Sequence, residues 1–285
     1  MYRQTASDLA TVREDATNTQ LANYLNQLLG RSHNLLYMGH RQKVSALVRF
    51  YRDTYPKVFR ETLPQTLLAL AIFLVTGLAG WALTVHDSAF AHRLLGPQMM
   101  ETIERRQMWT HSIVTIKPIA SSSIMTNNLS VAFSTFALGI TAGLGTIWMM
   151  VLNGLMIGVV GAATWQSGMA VPFWSFVAPH GVLELPAIFI AGGAGLEIAR
   201  GLLFPGLLPR KVSLSQAGGR AARLLLGTIP MLIVAGVIEG FFSPSETPAK
   251  FKFLVAAVLF AALLAYLFQL RRSGAGKTLT ADSAL

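Results

Sequence analysis

The residues best suited to chemistry in this 285-residue sequence are one imidazole and two carboxylates that lie in long apolar segments. His180 and Glu184 are four positions apart, and on a helix this spacing puts both side chains on one face with Cβ atoms about 5–6 Å apart. Glu239 lies in a different apolar segment. If the two segments are antiparallel neighbours, the three side chains lie at one depth, in the outer half of a bilayer. We call His180, Glu184 and Glu239 the trio.

The trio is open to three interpretations, because an ionisable group at the centre of a membrane helix costs about 2.5–3.5 kcal/mol and usually has a partner. It is a hydrogen-bonded cluster that joins two helices, a metal site, or a relay for protons or substrate. One imidazole and two carboxylates suit zinc or another divalent metal ion. A zinc-protease helix of the HExxH type is excluded, since position 184 holds glutamate where that motif needs a second histidine.

Other polar residues in the apolar segments are predicted to be structural. Glu197 precedes Arg200 by three residues near the inner surface, and this spacing predicts an ion pair on one helix face. Asparagines often bond across membrane helices. Asn127 and Asn128 are predicted to open the second span on its outer side, and Asn153 the third span on its inner side. Asn128 is the one predicted to join the trio.

The elements that must position these residues are membrane helices. Hydrophobic residues make up 53% of the chain and charged residues 13%, about half the share of charged residues in a soluble domain. Windows of about 20 apolar residues are long enough to cross a bilayer. The sequence therefore predicts an all-α polytopic bundle of about six transmembrane helices. They lie at 65–85, twice within 129–169 with a turn near 149–153, and at 176–199, 222–242 and 253–270.

Basic residues set the orientation of such a bundle, because they accumulate on the cytoplasmic side. With both termini inside, 17 Lys and Arg residues are cytoplasmic and six are outside. The predicted regions are a cytoplasmic amphipathic helical region (1–64), a transmembrane bundle (65–270) with an extracytoplasmic segment (86–128), and a cytoplasmic polar tail (271–285). The net charge of +10 thus indicates topology and contact with anionic lipid, and no nucleic-acid partner is predicted.

Small residues at helical spacing allow helix backbones to approach closely. A tightly packed bundle and a homodimer face follow equally well from this pattern. The residues concerned are Gly139 and Gly143, Gly154 and Gly158, and Gly192, Gly193 and Gly195.

The sequence resembles the stage II sporulation protein M family over about residues 2–270. The most specific motif is Pro179-His180-Gly181-x2-Glu184, and Ile238-Glu239 is a further match. The remaining matches are the segments 2–10 and 24–33, Asn127-Asn128 with Phe133, Phe136 and Gly139, and Asn153-Gly154-x3-Gly158. The resemblance carries over His180, Glu184 and Glu239 as signature polar residues without a settled role.

The resemblance implies an integral membrane protein that, in endospore formers, holds two peptidoglycan-degrading enzymes together at the septal membrane. The first hypothesis is thus a non-enzymatic scaffold in the bacterial inner membrane. Its partners would be the lipid bilayer and cell-envelope proteins or peptidoglycan hydrolases. The lack of a nucleophile–base pair favours it. The alternatives are a metal-dependent intramembrane hydrolase built on the trio and a small proton-coupled transporter.

Overall fold

A computed structural model describes residues 39–107 and 117–269, together with positions 24, 25 and 27. The described residues form helices joined by short turns, with no β-strand among them, and the predicted all-α class is confirmed. The chain divides into two compact units, Met1–Thr54 and Tyr55–Leu285. In the first unit, α1 spans Gly39–Arg49 and precedes a π-helical turn at Phe50–Thr54. The predicted polar tail 271–285 lies outside the described residues.

The described residues of the second unit form a bundle of long helices with three short ones. The short helices are α2 (Tyr55–Glu61), α4 (Ser88–Leu95) and α5 (Pro97–Glu104). The long helices are α3 (Leu63–His86), α6 (Lys117–Ala137), α7 (Leu144–Gln166), α8 (Ala170–Leu203), α9 (Arg210–Val237) and α10 (Ala249–Leu267). A π-helical turn at Ile238–Phe242 continues α9.

Five helices in the described part of the chain are long and apolar enough to cross a membrane: α3, α7, α8, α9 with its π turn, and α10. Leu78 on α3 and Val258 on α10 are 70% and 60% exposed, so their faces present the apolar surface that lipid requires. The 21-residue α6 is not one of the five, since serine, threonine and asparagine make it more polar. Six membrane crossings therefore remain a prediction.

Although α6 is more polar, the directions of its neighbours require it to run the length of the bundle. α3 and α7 are parallel: Gly77 faces Gly154, and further along both helices the Trp81 and Trp165 rings have centroids 5.7 Å apart. Two parallel helices in one chain need a return segment between them. α6 is this segment, because its last turn leads directly into α7.

The two ends of the bundle differ in charge and in the elements found there. At the arginine end, which holds Arg60, Arg200 and Arg220, the Arg60 guanidinium donates to the Leu267 carbonyl oxygen at 3.0 Å. The start of α3 and the end of α10 thus share this end. The platform end holds the trio and the two short helices α4 and α5, which we call the platform. Basic residues predict that the arginine end is cytoplasmic.

The turn between α6 and α7 is not where the sequence predicts it. The predicted turn near 149–153 is wrong, because α7 runs unbroken through Asn153 and Gly154. The chain turns at 138–143 instead, where Gly139 lies against the backbone of Gly195 and Gly143 has φ of +85°. Glycine meets both demands, since it has no Cβ and adopts positive φ without strain.

The small-residue motifs pack helices of the same chain against one another. Gly154 and Gly158 of α7 meet the backbone of α3 at Phe73 and Gly77, where an added Cβ would overlap main-chain atoms. Gly193 of α8 meets Thr66 in the same way. These faces are therefore used within the bundle, and a homodimer would need another surface.

Candidate functional site: a buried histidine and two glutamates

Two local irregularities position the trio. Pro179 and Pro186 lie inside α8, where each removes a backbone donor, and they flank the turn that carries His180 and Glu184. Facing this turn, α9 widens into its π turn, which the Ser243 N–H closes by donating to the Ile238 carbonyl oxygen at 2.8 Å. Single π-helical turns within α-helices are frequent at functional sites.

The structure brings the three predicted residues together from α8 and the π turn. His180 Nε2 lies 3.8 Å from Glu239 Oε1, and one ligand-capable atom from each of the three residues lies within 4.8 Å of the others. The His180 and Glu239 side chains are 6% and 13% exposed. Within the described residues, Glu239 Oε2 is buried and has no hydrogen-bond partner. This unpartnered oxygen is unusual, since buried polar atoms are nearly always paired.

Two residues that sequence analysis missed hold the imidazole in place. His180 Nδ1 lies 2.9 Å from Ser243 Oγ. The Lys252 ammonium, 7% exposed, donates to the carbonyl oxygens of Ser243 at 2.6 Å and Ser245 at 2.8 Å. A lysine placed just before the last apolar segment reads as a flanking charge, so the sequence carried no signal that this one turns inward. Ser243 thus holds the Nδ1 edge of the ring, Lys252 holds the backbone of Ser243, and Nε2 is left facing the carboxylates.

A cavity of about 220 Å³ adjoins the trio between α7, α8 and the π turn. The trio supplies the titratable groups among the described residues that line it. The remaining lining residues are apolar: Met156, Ile157, Val160, Phe173, Phe176, Val177, Gly181 and Leu185. The site can therefore take a small ligand or ion beside its polar wall, but the described residues offer no further acid or base there.

At the arginine end, the predicted pair of Glu197 and Arg200 lies within a larger cluster. Arg200 Nε and Nη2 donate to the two carboxylate oxygens of Glu197, each at 2.8 Å. Arg220 of α9 donates to Glu197 Oε1 at 2.7 Å, a contact that sequence spacing on one helix could not predict. The Glu197 side chain is 1% exposed, yet two guanidinium groups satisfy both of its oxygens.

The three predicted structural asparagines lie away from helix ends. Asn127 and Asn128 are in the middle of α6, which begins at Lys117, and the Asn127 amide lies 3.4 Å from Asn128 Oδ1. Asn128 is buried but is not among the described residues that line the cavity of the trio. Asn153 donates to the Met149 carbonyl oxygen at 2.8 Å, inside its own helix.

Comparison with known proteins identifies the family. The model of the family described as stage II sporulation protein M matches residues 69–244, and a model described as a domain of unknown function matches residues 1–38. An uncharacterized protein of Methanocaldococcus jannaschii is 30% identical over 124 residues, which cover 43% of this chain and 70% of that protein. No solved structure matches the chain. The family match covers most of the bundle and includes the whole trio, so this chain is an integral membrane protein that belongs to the stage II sporulation protein M family.

Proposed function

We propose that this chain is a non-enzymatic scaffold of the bacterial cytoplasmic membrane that recruits or organises peptidoglycan-remodelling proteins. Family membership over residues 69–244 supports it, because the role that sequence resemblance implied for this family is that of a membrane partner for wall-degrading enzymes. The observation that carries the proposal is the platform, a pair of short helices packed against one end of the bundle, which we predict to lie outside the membrane.

The platform is anchored by packing on α7. Ala91, Met100 and Ile103 form one buried apolar cluster with Val159 and Ala163 of α7. Burying such side chains contributes about 1.5–3 kcal/mol each for the larger ones, which is enough to fix two short helices that would be marginal in isolation. A fixed platform suits a docking role, because a partner that binds it loses little free energy in ordering it.

The outward face of the platform is polar and charged. Arg93 pairs with Asp87 at 2.7 Å and Arg105 with Glu101 at 2.6 Å, and all four side chains are about half exposed or more. Exposed pairs of this kind add little stability. These exposed side chains instead offer both positive and negative charge to a polar partner outside the membrane.

The hydrolase and transporter alternatives have less support. If all three residues of the trio bind a metal, none of the described lining residues remains to act as general base, which a metal hydrolase requires. A proton-coupled transporter needs a polar route across the bundle. The described lining of the cavity beyond the trio is apolar and supplies no such route.

The test of the scaffold role is site-specific photo-crosslinking in the native membrane. A photoreactive residue replacing Gln98, which is exposed on the platform, should capture a peptidoglycan hydrolase identified by mass spectrometry. The same group at the fully exposed Leu207 near the arginine end is the matched control and should not capture it. Capture at both positions, or of no wall enzyme at Gln98, contradicts the proposal.

The scaffold role also requires the platform to lie outside the cell. The chain has no cysteine, so Glu101→Cys and Leu207→Cys each introduce a single reactive thiol. In intact cells, a maleimide that cannot cross the membrane should label the first variant and not the second. Permeabilised cells should give labelling of both. The reverse pattern would place the platform in the cytoplasm and exclude wall enzymes as its partners.

A further inference from the structure

We infer that His180, Glu184 and Glu239 bind one divalent first-row transition-metal ion, which joins α8 to the π turn of α9. The ligands are His180 Nε2 and one carboxylate oxygen from each glutamate. This inference does not depend on the scaffold role, since a metal that joins two helices is compatible with any function of the bundle.

The first argument is charge. Two carboxylates face one imidazole at a site where the His180 and Glu239 side chains are 6% and 13% exposed. The nearby Lys252 ammonium has carbonyl oxygens of Ser243 and Ser245 as its hydrogen-bond partners rather than the carboxylates. Buried charges normally pair or coordinate a metal. A divalent cation would balance the charge of the two carboxylates. It would also give one of the two Glu239 carboxylate oxygens, either the unpartnered Oε2 or Oε1, a cation to coordinate.

The second argument is distance. Tetrahedral zinc holds its N and O ligands at about 2.0–2.2 Å, which places ligand atoms roughly 3.4 Å from one another. The His180 Nε2 to Glu239 Oε1 separation is 3.8 Å, and the spread of the three ligand-capable atoms is at most 4.8 Å. Small rotations of the flexible glutamate side chains close this gap without moving either helix.

The third argument is orientation of the imidazole. When Nδ1 donates its hydrogen to Ser243 Oγ, at 2.9 Å, Nε2 carries the lone pair and faces the carboxylates. Metal-binding histidines almost always make such a bond through the other ring nitrogen. Lys252 fixes the backbone of Ser243 from the far side. Ser243 and Lys252 are thus positioning residues, which act on the metal through the ring.

The chemistry of the ligands selects the class of metal. A mixed set of one nitrogen and two oxygens favours zinc, manganese or iron over magnesium and calcium, which prefer oxygen alone. Three protein ligands leave a fourth position. The cavity of about 220 Å³ adjoins the trio and has room for a water molecule or another small oxygen ligand at that position.

The experiment uses the full chain, purified in detergent, stripped with a chelator and titrated with Zn²⁺. We expect one zinc per chain by elemental analysis and a rise in the thermal unfolding midpoint. Glu239→Gln keeps the shape of the side chain and should lose the bound zinc, whereas Glu101→Gln removes an exposed platform carboxylate and should keep it. His180→Ala should also lose zinc. X-ray absorption of the wild-type protein should show nitrogen and oxygen ligands with an imidazole signature.

Three results would overturn the inference: no zinc bound by the folded wild-type chain, equal zinc in Glu239→Gln and wild type, or magnesium displacing zinc at equal concentration. If His180→Ala does not fold, Glu239→Gln with the absorption spectrum still decides the question. The result is separable from the scaffold proposal. Cross-linking to a wall enzyme tests whether the platform docks a partner, and zinc content tests whether the trio binds a metal.

Discussion

The bundle joins α8 to α9 twice with buried acids, and the two joints differ in how their charges are balanced. At the arginine end, two guanidinium groups bind the single carboxylate of Glu197, each through contacts of 2.7–2.8 Å. At the platform end, two carboxylates meet one imidazole at 3.8 Å or more, and one carboxylate oxygen has no partner among the described residues. We call the cluster of Glu197, Arg200 and Arg220 the complete joint, because both carboxylate oxygens of Glu197 accept hydrogen bonds from arginine. We call the trio the incomplete joint, because its two carboxylates have one imidazole and no arginine beside them among the described residues.

This difference separates a structural cluster from a candidate binding site. A buried carboxylate with matched donors gains nothing from a further ligand, because every oxygen is already satisfied. A buried pair of carboxylates with one weakly basic neighbour is stabilised by a proton or a cation. Acids held between the same pair of helices therefore lead to opposite expectations when they are altered, and substitutions at the two joints test this.

The largest expected effect is at the complete joint. Glu197→Ala removes the shared partner of Arg200 and Arg220 and should cost about 3 kcal/mol, the lower part of the range for breaking a buried ion pair. The lower part applies because the two arginine side chains are 45% and 27% exposed and can turn to water. The thermal unfolding midpoint in detergent should fall by about 6–12 °C.

Arg220→Leu is the matched control for that substitution. It leaves Arg200 to neutralise Glu197 through both carboxylate oxygens, so its midpoint should fall by much less. Equal losses in Glu197→Ala and Arg220→Leu would mean that the cluster acts through packing alone. The distinction between a complete and an incomplete joint would then lose its basis.

A smaller effect is expected from the positioning residues at the incomplete joint. Ser243→Ala removes the partner of His180 Nδ1 and frees the ring to rotate. Loss of such an outer partner typically lowers metal affinity 10–100-fold, and we expect about tenfold here. Competition between the protein and a zinc-binding dye measures this change directly.

Ser243→Thr retains a hydroxyl at the same position and serves as the control. Its zinc affinity should stay close to that of the wild-type protein. If Ser243→Ala and Ser243→Thr bind zinc equally well, the imidazole is held by packing, for example by Phe176, whose ring centroid lies 5.6 Å from that of His180.

Sequence patterns predicted the helical class and singled out part of each joint, namely the trio and the pair of Glu197 and Arg200. Membrane helices are set by local composition, so the apolar windows fall largely within α3, α8, α9 with its π turn, and α10. The window for α7 was divided at the wrong place. Spacing of three and four residues on one helix grouped Glu197 with Arg200 and His180 with Glu184, and each pair lies close together in the structure. The approach of Glu239 followed from a single added assumption, that consecutive helices are antiparallel neighbours.

Sequence patterns failed where the outcome depends on contacts between distant segments. The Asn153-Gly154 dipeptide indicates a turn, but Gly154 is needed for the close approach of α7 to α3, so the turn forms at 138–143 instead. Arg220 belongs to the arginine-end cluster through its contact with Glu197, which is 23 positions away in the sequence. At the trio, Ser243 contacts His180 across 63 positions, and Lys252 contacts Ser243 across 9. No local pattern distinguishes such residues from flanking charges or loop serines.

The smallest expected effect is also the most direct comparison of the joints, because one chemical change is made at both. In chelator-treated protein, Glu197→Gln removes a charge that two arginines need and should lower the unfolding midpoint. Glu239→Gln removes one of two like charges, and an amide can donate to its neighbours. Its midpoint should therefore rise, by about 2–4 °C if the relief is near 1 kcal/mol. Added zinc should stabilise the wild type and leave Glu239→Gln unchanged. A fall in the midpoint of both variants without metal would mean that the trio, like the arginine cluster, is already balanced within the chain.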